Sequence, residues 1–281
     1  FGSSQWMYAS GDYEIDQSLR FEDGSDAYLS FTPAAAGNRR TWTWSAWVKR
    51  GNLTQSSLFA TNGGGSDALY TRITFHDNDS IMVTGNNTVW KLTDGTQRFS
   101  DPSAWYHIVV VLDTTDSTAA NRLKIYVNGS ILTSFSHNNA PDENEELGIN
   151  NATQHHLGSA GNANSPTVEL DGYLAEVNFI DGTALTPASF GETDNTYGHW
   201  KPKKYGGAYG TNGFYLPFKQ DYTVEGFSTV VYKGAGAVRY VGGTGFQPDL
   251  VWIKSRDHTY GHHWTDSVRG AGKDLYSDTT D

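Results

Sequence analysis

Three groups of side chains in this sequence have types and spacings that could do chemistry: a few carboxylates, a histidine cluster and several aromatic rings with no obvious place in a core. Hydrolysis of a glycosidic bond needs two carboxyl groups on one surface, about 5–5.5 Å apart for a retaining mechanism. Glu169-Leu170-Asp171 is the candidate cluster, and Glu176 is the next carboxylate along the chain. On a regular strand the five-residue step from Asp171 puts Glu176 on the opposite face, about 17 Å away. A bulge at Gly172 would restore the face but not the distance. A turn entering a strand at Asp171-Gly172 accounts for these residues without catalysis. In RDHTYGHHWTD, His258 and His262 have the spacing of a zinc pair on a helix, with His263 beside them. Gly261 lies among them in a region of strand and turn character, so they read as surface or packed histidines near Trp264. His155-His156 alternates across a strand, which argues against a shared ligand role.

Neither a Gly-X-Ser-X-Gly elbow, a His-Glu-X-X-His helix nor a phosphate-binding glycine loop occurs. The expectation is a protein that is not an enzyme. Saccharide recognition asks instead for exposed rings that stack on sugar faces, beside Asn and Asp that bond hydroxyls. Tyr70, Trp90, Trp105, Tyr197 and Trp200 are the rings no core pattern claims. Of these, Tyr70, Trp90, Tyr197 and Trp200 are the candidate carbohydrate-binding residues, each with core or interface packing as its alternative.

Composition bounds the classes. The 281 residues carry a formal charge of −11, which disfavours nucleic acid and anionic membranes, because both demand a basic face. Cysteine is absent, so no disulfide, thiol nucleophile or thiolate metal site is available. Apolar runs such as His107–Leu112 are strand-length, so no membrane insertion is expected. Phe1–Ser10 has no basic start and no apolar run, so no signal peptide is read. With 9 Trp, 16 Tyr and 13 Phe there is ample bulk for a core.

The elements that must position these residues are strands. Runs at Ser18–Phe21, Ala27–Thr32, Thr41–Arg50, Ser57–Thr61, Arg72–His76, Ser80–Gly85, Trp105–Asp113, Arg122–Asn128 and Gly172–Ile180 recur between turn residues. In Thr41–Arg50, the two-residue period puts Trp42, Trp44, Ala46 and Val48 on one face, and Thr43, Ser45, Trp47 and Lys49 on the other. The three tryptophans are expected in the core or between sheets. Asn128-Gly129 signals a tight hairpin, and Asp77-Asn78-Asp79 splits two strands in the same way. Pro141–Asn151, with Asp142, Glu143, Glu145 and Glu146, reads as a solvated acidic loop. Helical periodicity is nearly absent, so the class is all-β, an antiparallel sandwich.

The expected organisation is an arm over residues 1–17, a sandwich over 18–190 and a Gly-, Tyr- and Lys-rich connector over 191–220, ordered by packing aromatics rather than a free linker. A second β domain follows over 221–281, with strands at Phe227–Lys233, Ala237–Val241 and Asp249–Ser255. Some sixty residues are few for a sandwich, so this domain is expected to be incomplete or completed by a partner. Five Asn-X-Ser/Thr sequons, at Asn52, Asn78, Asn86, Asn128 and Asn151, are explained by composition.

Three segments in order resemble the concanavalin-like, laminin-G-type jelly-roll family: TWTWSAWVKR at Thr41–Arg50, WYHIVVVLDTT…NRLKIYVNG at Trp105–Gly129, and LDGYLAEVNFI at Leu170–Ile180 following Leu157-Gly158. The pieces SLRFEDGSDAYLSFTPAAAGNRRTWTWSAWVKRG, FIDGTALTPASFGE, WKPKKYGGAYGTNGFYLPF and GFQPDLVWIKSRDHTYGHHWTDSVRGAG further resemble virion proteins of tailed phages, marine ones particularly. That resemblance implies a non-enzymatic fibre or surface decoration located in the virion and made in the host cytoplasm. Its implied partners are copies of itself, other virion proteins and host-surface polysaccharide. A carbohydrate-binding adhesin is the alternative, and a concanavalin-like glycoside hydrolase the third. Relatives of this type often carry calcium held by loop carboxylates, which implies Asp23, Asp26, Asp77, Asp79 and Asp171 as candidate ligands. Asp23 and Asp26 would meet Asp171 if the first and last strands of the sandwich pair.

Overall fold

The computed structural model describes residues 13–61, 70–85, 88–160, 168–219, 226–233, 236, 246–270 and 273–277. The chain divides into two compact units, Phe1–Lys219 and Gln220–Asp281. In chain order the strands of the first unit are β1 (Leu19–Phe21), β2 (Leu29–Phe31), β3 (Thr41–Arg50), β4 (Ser56–Thr61), β5 (Thr71–Phe75), β6 (Ile81–Gly85), β7 (Thr88–Thr93) and β8 (Tyr106–Asp113). They continue as β9 (Leu123–Val127), β10 (Ser130–Ile131), β11 (Phe135–Asn138), β12 (His155–Leu157), β13 (Gly172–Asp181), β14 (Gly191–Thr193), β15 (Trp200–Pro202) and β16 (Phe214–Leu216). Among the described residues helix is confined to three single 3-10 turns, and no helix is long and apolar enough to cross a membrane.

Two antiparallel sheets enclose the core. One has the order β1-β13-β3-β8-β9-β10, with β16 also paired to β13; the other has the order β11-β7-β6-β5-β4-β12-β2. The alternation in β3 holds: Trp42, Trp44, Ala46 and Val48 enter the core, and Trp44 stacks on Phe59 of the opposite sheet at 6.3 Å. Leu123, Ile125 and Val127 do the same from β9. Asn128 and Gly129 make the two-residue hairpin into β10 with φ of 48° and 79°, the left-handed pair that this turn demands. The Asp77–Asp79 turn joins β5 to β6.

Residues 183–218 are more than a connector. They run back across the outer face of the first sheet as a strap. Phe190 is buried there against Val109, Val111 and Ile180, with Leu185, Tyr205 and Tyr209 packed around it. The strap contains the β14–β15 hairpin and ends in β16, which pairs Phe214–Leu216 with Val177–Phe179. This second layer explains why β3 is buried on nearly every residue rather than on alternate ones.

Other sequence expectations need correction. Thr88–Thr93 and Phe135–Asn138 are paired strands whose polar, edge-like composition hides them. In the acidic segment 141–151 Asp142, Glu143 and Glu146 are exposed as expected, but the second half is not solvated. Leu147 and Ile149 are buried in the core, Glu146 bonds Arg39 and Arg40 at 3.0 Å each, and Glu143 meets Arg122 at 3.3 Å. In the second unit β17 (Leu250–Ile253), β18 (His263–Asp266) and β19 (Leu275–Tyr276) form a three-stranded antiparallel sheet. Phe227–Lys233 is not a strand, and Ala237–Val241 lies outside the described residues.

Candidate functional site

The residues that the two-residue period sends to the outer face of the first sheet make one continuous polar and aromatic cluster. Trp47 of β3 lies directly opposite His107 of β8, and their rings stack at 4.9 Å. From the strap, Trp200 lies edge to edge with the imidazole and donates its indole N–H to His107 Nδ1 at 2.9 Å. Trp200 fits because Gly129 and Gly191 flank it; a Cβ at either position would run into the indole ring.

Ser45 Oγ is 2.9 Å from His107 Nε2, a distance suggestive of a nucleophile and its base. The proton sits on the wrong side for that. Indole is a donor only, so Nδ1 accepts, Nε2 carries the hydrogen, and the imidazole donates to the serine. Burial also pushes the His107 pKa down to about 3. An orienting acceptor, the third member a hydrolase needs, is replaced by a donor.

Glu176 has an equally structural environment. It occupies a bulge in β13, where the register with β3 shifts between Ala175 and Asn178, and its φ is 50°. The bulge lies here rather than at Gly172, at the junction where β1 and β16 share the edge of β13 end to end. The Glu176 carboxylate accepts from Tyr215 at 2.8 Å and from Tyr13, in the arm, at 2.6 Å. Burial, then the hydrogen bond to Glu176, pushes the Tyr13 pKa up to about 12, and burial raises that of Tyr215 as well, so both phenols remain donors. Asp171 is about 17 Å back along the strand at ~3.4 Å per residue, far from the spacing of a catalytic pair.

A cleft of about 380 Å³ opens beside this cluster. Trp47, Trp105 and Trp200 contribute aromatic surface to it. The arm supplies another wall with Glu14 and Asp16, and the β14–β15 hairpin supplies His199 and Lys201. Trp105 is 36% exposed, the most accessible of the three indoles. Lys201 is neutralised by Asp194 at 3.2 Å and Glu192 at 3.6 Å. The arm is held at Tyr13 by Glu176 and Tyr215 and at Asp16 by Lys219, 3.1 Å away.

The sequence-derived candidates divide. Trp200 lines the cleft; Tyr197 is exposed in the same hairpin and stacks on His199 at 6.2 Å. Tyr70 precedes β5, its ring beneath the Arg72 guanidinium at 5.5 Å, and is not part of the cleft. Trp90 is buried in the core, its ring lying over Gly85, so it offers no face to a sugar. Trp47 is buried as expected, at 9% exposure, but on the outer face of the first sheet, where it also lines the cleft. Trp105 was legible as an unplaced ring; Glu14 and Asp16 carried no signal, because only the fold brings the arm to the cleft that Trp47, Trp105 and Trp200 line.

The calcium candidates do not fit a cation. The first and last strands of the sandwich do pair, and Asp23 and Asp171 do reach the same Gly51-Asn52 turn. But Arg20 forms an ion pair with Asp171, Asn52 donates to Asp23 at 2.8 Å, and Asp26 sits at the end of a 3-10 turn. Asp77 bonds His76 at 2.5 Å and Asp79 bonds the buried Arg50 at 2.9 Å. Protein cations and amides thus occupy the places of a metal. Among the described residues no group of three or more His, Asp or Glu is placed to hold one. That includes His258, His262 and His263: Trp252 donates to His262 at 3.0 Å, His263 packs on Tyr276 and His258 on Tyr260.

Residues 23–189 match the family model described as the concanavalin A-like lectin/glucanases superfamily. The chain belongs to that superfamily. Residues 223–281 match a domain of unknown function, DUF7483. Similar solved structures include a heptameric SAP-like pentraxin from Limulus polyphemus, 16% identical, TM-score 0.41, with 57% of this chain and 71% of that chain covered. A putative carbohydrate-binding protein from Bacteroides ovatus is 17% identical, TM-score 0.41, over 61% of this chain and 44% of that one. Domain 4 of a GH43 extracellular arabinanase from Geobacillus stearothermophilus, in complex with arabinotriose, is 20% identical, TM-score 0.38, over 54% and 65%. This chain thus spans less than half of the Bacteroides protein. No curated protein matches it. At these identities the likeness is one of fold, and concanavalin-like folds host both binding and hydrolysis.

Proposed function

We propose that this concanavalin-like chain is a non-enzymatic surface-binding protein whose first unit binds carbohydrate in the cleft between arm and strap. The observation that carries this reading is the convergence of Trp47, Trp105 and Trp200 on one cleft of about 380 Å³, with polar groups at its rim. Apolar faces of pyranose rings stack on indoles, while rim carboxylates and amides bond hydroxyls. The non-catalytic part of the reading is supported by the engagement of Glu176 by two tyrosines, of Asp171 by Arg20, and by the reversed polarity of the Ser45–His107 pair. Affinity electrophoresis of the full chain and of Trp105→Ala in gels cast with a panel of neutral, acidic and amino polysaccharides tests it. Retardation by one class, lost in the variant, is the expected result. Retardation by none, or retardation unchanged in Trp105→Ala, would remove the cleft from the account.

The setting favoured for this binding is an appendage of a virus particle, where many copies turn weak single sites into avidity. The quoted sequence segments support it. So does the second unit, whose exposed Trp252, Leu250 and Val268 suit self-association or docking on neighbouring proteins. Gold-labelled antibody against the chain should decorate a defined structure on intact particles; protein found only free in the lysate would contradict the setting.

A further inference from the structure

The charges around the cleft are unbalanced. Its lysine, Lys201, is already matched by two carboxylates. Asp16 shares its charge with Lys219. Glu14 is exposed, lines the cleft, and has no ion pair or hydrogen bond among the described residues. It also follows Tyr13 directly and lies two residues before Asp16, the two points at which the arm is held. An unpaired carboxylate fixed between two anchors, in a cleft that three indoles also line, is the arrangement that recognises a cation carried on an apolar face. The carboxylate supplies a charge-assisted hydrogen bond and the ring faces attract positive charge.

Resting on the saccharide reading above, we propose that the cleft selects amino sugars with a free, protonated amine, and that Glu14 is the specificity-determining residue. The pyranose stacks on Trp105 and Trp200 while its ammonium meets Glu14. An N-acetylated sugar keeps the stacking surface but gives Glu14 no cation, and a uronic acid sets like charge against it. The overall charge of −11 attracts any polycation at long range, so the test must separate the cleft from the field of the whole chain.

Isothermal titration of the full chain compares a glucosamine tetramer, an N-acetylglucosamine tetramer and tetralysine at about 0.15 M salt, where exposed charges more than about 8 Å apart are largely screened. The proposal expects the glucosamine tetramer to bind about tenfold more tightly than its acetylated counterpart, the size of one charge-assisted contact. Glu14→Gln should reduce that preference to about twofold or less, and Trp105→Ala, which changes no charge, should weaken both sugars. Equal binding of the two tetramers, or a preference unchanged in Glu14→Gln, overturns the amine selectivity and leaves the saccharide site standing. Tetralysine binding as well as glucosamine, insensitive to Trp105→Ala, overturns it in favour of diffuse charge. No binding of either tetramer, together with no retardation by any polysaccharide, removes the saccharide site itself.

Discussion

Trp44 in the first unit and Trp252 in the second both sit on antiparallel strands among β-branched and aromatic neighbours, yet Trp44 is fully buried and Trp252 is 57% exposed. The difference lies in layers rather than in strands. β3 has the second sheet on one face and the strap on the other. Among the described residues of the second unit there is one three-stranded sheet, and Leu250, Val251, Trp252 and Ile253 are exposed along both of its faces. The stacking of Trp252 on Trp264 at 5.0 Å is contact within that single layer. Apolar strand residues make a core only when another layer covers them. The proposed binding site follows the same rule, since the cleft lies where a third layer, the strap, closes over a sheet.

The sharpest way to break this comparison is a matched pair of truncations. Trp44→Ala should cost about 3–5 kcal/mol, and Trp252→Ala about 1 kcal/mol or less, read as shifts of the denaturant midpoints of the full chain. Equal costs would mean that the second unit has a core of its own. A charged pair extends the test. Arg50 has a fully buried guanidinium that bonds Asp79, Phe99 O and Thr54 O and lies over the Phe75 ring at 4.7 Å. Arg50→Ala should cost about 3–5 kcal/mol, because Asp79 is left without its cation. Arg269→Ala, removing the exposed partner of Asp266, should cost about 1 kcal/mol or less.

Acid should unfold the first unit through its neutral histidines. Burial lowers the His107 pKa to about 3 and that of His155 to about 4. Their folded pKa values lie below the unfolded value of about 6.5, so the unfolded chain binds more protons between these limits. Their contribution is complete above pH about 6.5 and is lost as pH falls towards 4 and then 3. At pH 5 the loss is about 2 kcal/mol for each, measurable as a falling midpoint between pH 7 and 5. His107→Gln should flatten part of that slope; an unchanged slope would mean that His107 is charged in the folded state. The smallest effect expected is local. Glu176→Gln keeps an acceptor for Tyr13 and Tyr215 but removes the charge, so about 1 kcal/mol is expected and the arm should become more sensitive to protease near Tyr13.

Much of this was legible in the sequence, and the failures have physical causes. The period of β3 and the hairpin at Asn128-Gly129 follow from local pattern, whereas the pairing of the first strand with β13 was implied only by the family resemblance. Even the outward position of Trp47, among Thr43, Ser45 and Lys49, was visible, although its size suggested a core residue. Trp90 failed in the opposite sense, because its strand pattern is broken by a bulge between β6 and β7. The ordering of the strap by packed aromatics was legible, but its role as a covering layer was not, because its anchors are single rings, Phe190, Trp200, Tyr205 and Tyr209, with no period. Glu14 is silent in the sequence because the opposing walls of the cleft, Trp105 and the β14–β15 hairpin, lie roughly 90 and 185 residues away.

The central claim is that the strapped face of the first sheet is the ligand face. Hydrogen–deuterium exchange of the full chain, with and without the tightest-binding oligosaccharide of the panel at saturation, tests it most directly. Protection is predicted at residues 14–18, around Trp105 and across 199–202. Protection confined to the opposite sheet or to the second unit would contradict it.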